Sequence, residues 1–152
     1  MRIALACDHA GFPLKAAALA ELKRLGHNVQ DFGTDSTDAV DYPDYAQQVA
    51  EAIMRGEAER GLLLCGSGVG ASVAANKVPG VRAAVCHDTF SARQGVEDDD
   101  MNVLCLGARV IGEQLALDVI RAWDGARFSN AERHQRRLGK VNAIEQRYQR
   151  RD

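Results

Sequence analysis

A thiol closing an apolar run and then three glycines within five residues place a carbon base beside an anion-binding turn. In Leu62-Leu63-Leu64-Cys65-Gly66-Ser67-Gly68-Val69-Gly70 the glycines let the backbone bend and bring its N–H groups close to a ligand. Ala71 to Ala75 can continue as helix, and the positive end of that helix favours an anion, whether phosphate or thiolate. Taken alone, Cys65 is an ordinary core cysteine and the glycine cluster an ordinary tight turn. The letters Gly66 to Ala71 also satisfy G-x-G-x-x-A, with Asp88 ending the next strand, so a dinucleotide site or a regulatory nucleotide-binding module without turnover competes. That fingerprint usually opens the first strand-helix-strand unit, whereas here two strands precede it, and nucleotide binding gives Cys65 no role.

The elements that must position these residues alternate. Arg2 to Cys7 reads as a buried strand, Phe12 to Leu25 as a helix closed by Gly26, and Val29 to Phe32 as a second strand. Asp41-Tyr42-Pro43-Asp44 marks a turn into a helix from Tyr45 to Arg55. Strands follow at Leu62 to Cys65, Arg82 to Cys86 and Val103 to Leu106, separated by helices near 69–77 and 89–96. Ile111 to Trp123 is another helix, and Ser129 to Arg150 holds no strand. The pattern predicts an α/β fold: a doubly wound, Rossmann-like, five-stranded parallel sheet with helices on both faces and a C-terminal helical arm. Every strand-to-helix loop then lies on one edge, where ligands bind.

A chain of 152 residues with 46% hydrophobic content fits one domain over 1–152, with a core over 1–126 and an arm over 127–152. No apolar run reaches the roughly 20 residues of a membrane span, and the start lacks a signal-peptide pattern, so the expected location is cytoplasmic with no membrane partner. Cys7, Cys65, Cys86 and Cys105 sit in or at the end of apolar runs, as reduced cysteines do, and no zinc-type spacing occurs, so no metal is expected. Residues 127–152 hold eight Arg and Lys against three acids. Their arginines are interleaved chiefly with Gln, Leu and Ala on a helical pattern, which argues against nucleic acid; on composition alone they form a solvated helix face.

Several motifs in this order resemble the ribose-5-phosphate isomerase B and galactose-6-phosphate isomerase family: Cys7-Asp8-His9-Ala10-Gly11, Asp41-Tyr42-Pro43, Cys65 to Gly70, Ala75-Asn76-Lys77, Asn102-Val103-Leu104, Gly107-Ala108-Arg109 and Arg133-His134-Gln135-Arg136-Arg137. The resemblance runs nearly end to end. It implies an aldose-ketose isomerase working through a cis-enediolate, with Cys65 as base and no cofactor. Backbone N–H groups across Gly66, Gly68, Val69 and Gly70, with Ser67 and Asn102, would stabilise the developing charge. Asp8, Asp41 and Tyr42 would hold sugar hydroxyls, while His9 and Arg109 grip the phosphate. Arg133 and Arg137 would arrive from a second subunit, making a homodimer or dimer of dimers with shared sites.

One departure bears on the sugar. The family commonly has a histidine four residues before Asn102, a group that helps open a furanose ring; here Asp98 stands in Glu97-Asp98-Asp99-Asp100. Either Asp98, His9 or His87 opens the ring and the substrate is ribose 5-phosphate, or the substrate needs no opening. A tetrose 4-phosphate (erythrose or erythrulose 4-phosphate) has O4 blocked and cannot close a furanose. A six-carbon sugar phosphate is a further alternative.

Overall fold

The computed structural model describes residues 1–149, so the arm's expected end at Arg150 lies outside the described residues. The elements run β1 (Arg2–Cys7), α1 (Phe12–Arg24), β2 (Asn28–Asp31), α2 (Tyr42–Met54), β3 (Arg60–Cys65), α3 (Val69–Ala75), β4 (Ala83–Val85), α4 (Thr89–Asp99), β5 (Val103–Gly107), α5 (Glu113–Asp124) and α6 (Glu132–Tyr148). The five strands form one sheet in the order β2-β1-β3-β5-β4, and every pairing is parallel. The doubly wound α/β expectation therefore holds.

Strand periodicity sorts the side chains onto two faces. Ile3 and Leu5 of β1, Leu62 and Leu64 of β3, and Leu104 and Leu106 of β5 pack with Leu22 of α1, Val96 of α4 and Ile120 and Trp123 of α5. The intervening residues are smaller: Ala4, Ala6, Cys65, Val103 and Cys105 meet Ala46, Val49 and Ala50 of α2 and Ala71 and Ala75 of α3. Large residues thus fill the layer under three helices, and alanines let α2 and α3 lie close on the other face.

Most other boundaries shift by one or two residues, and four that differ from the sequence reading have a local reason. Helix α2 starts three residues early, with Pro43 in its first turn, where a fixed φ and a missing N–H cost nothing. Helix α3 stops at Ala75 because Asn76 turns its amide to Ala83, donating from Nδ2 to the Ala83 carbonyl at 2.9 Å and accepting from its N–H at 2.8 Å. Helix α4 runs on to Asp99 and ends at Asp100 with φ 51°. Helix α6 begins only at Glu132, after Ser129 accepts the Ala131 N–H on its Oγ at 3.1 Å.

Strand order fixes where a ligand can sit. The chain leaves β1 toward β2 on one side and returns to β3 on the other, so the crossover loops after β1 and β3 diverge and leave a crevice between them. Those loops carry Asp8 to Gly11 and Gly66 to Gly70.

Candidate active site

A cavity of about 350 Å³ opens at that crevice, lined by Asp8, His9 and Ala10 after β1, Tyr42 at the start of α2, Cys65, Gly66, Ser67 and Gly70 after β3, and Arg109 and Val110 after β5. Four loops distant in sequence meet there because β1, β3 and β5 are neighbours that end together. Cys65 pairs in register with Gly107, and the Ala108 N–H donates to the Cys65 carbonyl at 2.8 Å.

Cys65 closes β3 with its sulfur accepting the Gly68 N–H at 3.0 Å. Gly68 holds the left-handed conformation (φ 84°) that lets the chain turn back and direct this N–H at the sulfur. The Val69 N–H donates to Ser67 Oγ at 3.2 Å. Two of the loop donors expected to serve an oxyanion are thus engaged within the turn, one of them on the thiol itself, and neither Gly68 nor Val69 lines the cavity. Gly66 and Gly70 do. A Cβ on Gly70 would stand 2.7 Å from the Tyr42 ring, so only glycine allows the tyrosine this close.

All four thiols are buried; burial pushes Cys7 and Cys86 up to about 11 and raises Cys105 further, and of the four Cys65 alone lines this cavity. At pH 8 a thiol with a pKa of about 11 is roughly 0.1% thiolate. Iodoacetamide should therefore modify Cys65 at least about tenfold faster than the other three; peptide mapping of the native protein after partial alkylation checks this.

His9 reaches the cavity with its tautomer set. The Val40 N–H donates to His9 Nδ1 at 3.1 Å, which leaves Nε2 as the N–H bearing nitrogen, a donor suited to an anion. Asp8 accepts the Gly11 N–H on Oδ1 at 2.9 Å, leaving its second oxygen for a hydroxyl. The loop that supplies Val40 and leads to Tyr42 is tied down by Lys15, whose Nζ donates to the Thr34 carbonyl at 3.0 Å and pairs with Asp31 and Asp35 at 2.7 Å each. Burial works against the Lys15 charge, yet the two carboxylates prevail and its pKa is raised. Arg109 extends over Gly66 and forms no ion pair among the described residues.

Seven sequence-selected residues stand elsewhere. Asp41 stands exposed at the residue before α2, its side chain making no capping hydrogen bond and not lining the cavity. Asn102, expected beside the glycine loop, lies at the opposite edge of the sheet: Gly61 pairs with Val103 and Cys65 with Gly107, four residues or roughly 13 Å along the strand. Its amide accepts the Arg82 N–H at 2.7 Å and donates to the Gly80 carbonyl at 2.9 Å, so it shapes the β4–β5 end. Asp98, Arg133 and Arg137 belong to that far edge too, where α6 meets the end of α4. His87, a candidate ring opener, accepts the Gly107 N–H on Nε2 at 2.9 Å, and burial lowers its pKa. Asp88 caps α4, accepting the Ser91 N–H at 2.6 Å, so the acid of the dinucleotide fingerprint has a structural task. Sequence reading gave no role to Ala10 and Val110, whose only signal was adjacency to His9 and Arg109, or to His134, which is buried on α6.

Comparison with known proteins gives one answer. A profile described as Ribose/Galactose Isomerase matches residues 3–141. The chain is 48% identical over 146 residues to ribose-5-phosphate isomerase B of Escherichia coli strain K12, covering 96% of this chain and 97% of that protein. It is 44% identical over 129 residues to D-erythrulose-4-phosphate isomerase of Pectobacterium atrosepticum, covering 84% and 85%. Among solved structures it is similar to Clostridium thermocellum ribose-5-phosphate isomerase B, with a TM-score of 0.95, 48% identity, and 98% of this chain and 100% of that one covered.

Proposed function

The chain belongs to the ribose/galactose isomerase family and is a sugar-phosphate isomerase, and from that premise we propose that it interconverts ribose 5-phosphate and ribulose 5-phosphate with Cys65 as the carbon base. The observation carrying this reading is the convergence of Cys65, Asp8, His9, Ser67 and Arg109 on one small cavity at the crevice of the sheet. In the proposed step the Cys65 thiolate takes the proton from C2 of the aldose and returns it to C1. The hydroxyl proton on O2 passes to O1 as the cis-enediolate forms and collapses. Ser67 and the N–H groups of the turn not already engaged face the enediolate oxygens. Asp8 and Tyr42 hold hydroxyls, and His9 Nε2 and Arg109 take the phosphate.

Arg133 and Arg137 complete the phosphate site from a second copy. Both are exposed and free of ion pairs among the described residues, whereas Arg136 between them pairs with Glu132 at 2.8 Å. A groove of about 680 Å³ beside edge strand β4, lined by Val81, Val85, Met101, Leu138, Val141 and Ile144, supports association into a homodimer or dimer of dimers. In this reading the whole chain is one domain with the arm serving its neighbour, and the enzyme works in the cytoplasm without a cofactor.

A second reading, a four-carbon 4-phosphate substrate, is favoured by one observation: every histidine already uses a ring nitrogen within the protein. His27 pairs with Asp124 and the Met1 amine, His87 with Gly107, His134 with Ser129 and Asp98, and His9 keeps only Nε2. One nitrogen cannot grip the phosphate and also open a ring at the other end of the sugar, and an open-chain tetrose needs no opening. Relatives of both names are similar to this chain. Turnover of a tetrose, pentose and hexose phosphate panel decides: the first reading expects kcat/KM highest on ribose 5-phosphate, the second at least about tenfold higher on the tetrose. Absence of turnover on the whole panel removes both.

A further inference from the structure

We propose that Asp98 is a positioning residue, one that fixes the arm α6, and with it Arg133 and Arg137, by holding His134. The inference rests on the shared-site reading above, in which those arginines bind phosphate.

The geometry is a run of hydrogen bonds ending in an ion-pair contact between the start of α6 and the end of α4. The Ala131 N–H donates to Ser129 Oγ at 3.1 Å. Ser129 Oγ stands 2.5 Å from His134 Nδ1, and His134 Nε2 stands 3.4 Å from Asp98 Oδ1. With the Ser129 hydroxyl donating to Nδ1, the proton of a neutral imidazole lies on Nε2, the nitrogen that stands against Asp98. The other Asp98 oxygen accepts from Gln94 Nε2 at 2.7 Å. Ser129 is tied to α4 a second time by its N–H on the Glu97 carbonyl at 3.0 Å.

Both Asp98 oxygens are therefore engaged, and its partner is not solvent: His134 is 5% exposed and is the buried residue of α6. The neighbouring acids have separate partners, Arg93 for Glu97 at 3.3 Å and Arg82 for Asp100 at 3.0 Å. Further along, α6 is held by Glu145, which accepts the Gly80 N–H at 3.2 Å. The arm is thus held at its start by Ser129 and His134 and further along by Glu145. Arg133 adjoins His134 and Arg137 lies one turn on, so the Asp98 attachment sets where both guanidinium groups stand. A bidentate grip on phosphate is sensitive to such displacement.

The test is steady-state kinetics on the best substrate of the panel, with near-ultraviolet circular dichroism to establish that each variant is folded. Asp98→Ala should raise KM at least tenfold and leave kcat within twofold. Asp98→Asn, which keeps an acceptor for His134 Nε2, should bring KM back to within threefold of the parent. In an Arg133→Ala/Arg137→Ala background, Asp98→Ala should add no more than a twofold change, because both groups it positions are gone. A kcat loss shared equally by Asp98→Ala and Asp98→Asn would overturn the proposal and make Asp98 a proton-transfer group. So would an unchanged KM in Asp98→Ala where Arg137→Ala alone raises it. If Arg137→Ala itself leaves KM unchanged, the shared-site reading fails and takes this inference with it.

Discussion

Cys65→Ala should leave the fold intact and abolish exchange of the substrate C2 proton with solvent deuterium, a loss of about 10³-fold or more, since the carbon base disappears outright. The sulfur stands at the cavity wall against one backbone N–H, so removing it creates a small void worth about 1 kcal/mol. Cys65→Ser separates chemistry from packing: it restores an acceptor for Gly68 but offers a hydroxyl too weakly acidic to act as an anionic base, and exchange should stay lost. The other cysteines cannot substitute, because Cys7 and Cys105 are buried in the core and Cys86 faces the groove beside β4. Nuclear magnetic resonance of the sugar in deuterated water checks the outcome, and undiminished exchange in the alanine variant would remove Cys65 from the mechanism.

The second large effect is a gain. Cys65→Ala protein, and Arg137→Ala protein assayed at a substrate concentration far below its raised KM, each turn over little alone and should recover activity when mixed under conditions that permit subunit exchange. In a twofold dimer with shared sites, a mixed pair places both lesions in one site and leaves the other native. Random exchange of equal amounts makes half the dimers mixed, so about a quarter of all sites, and about a quarter of native activity, should return. Native mass spectrometry establishes that mixed pairs have formed. No recovery in their presence would place Arg137 in the site of its own chain or outside any site.

The residues at the C-terminal strand ends were legible in sequence because each follows a short apolar run, and parallel strands with helical crossovers must carry such loops to one edge. That argument puts Cys65, Asp8, His9, Tyr42 and Arg109 at one edge, while the roles expected of them came from the family resemblance. Asn102 was misplaced because a residue before a strand reads the same as one after it unless the strand's direction is followed; preceding β5, it had to start at the far edge. The role of His134 was hidden because its partners Asp98 and Ser129 come from another helix and a loop, and nothing in a helical pattern announces which face will meet them. The extension of α4 through Asp99 was missed for the opposite reason: an acidic run looks like a loop until Arg82, Arg93, Gln94 and His134 are seen to pair with it. The engagement of the Gly68 and Val69 N–H groups within the turn depends on backbone directions that glycine permits without specifying.

The cavity sits at one edge of the sheet and Arg133 and Arg137 at the end of α4 near the other, with rigid five- and six-residue strands between them. No bending of a single chain joins these ends. On the shared-site reading, a newly synthesised chain completes its folding while still carrying two unmatched halves of a catalyst, so competence is acquired when two chains meet and not when one of them folds.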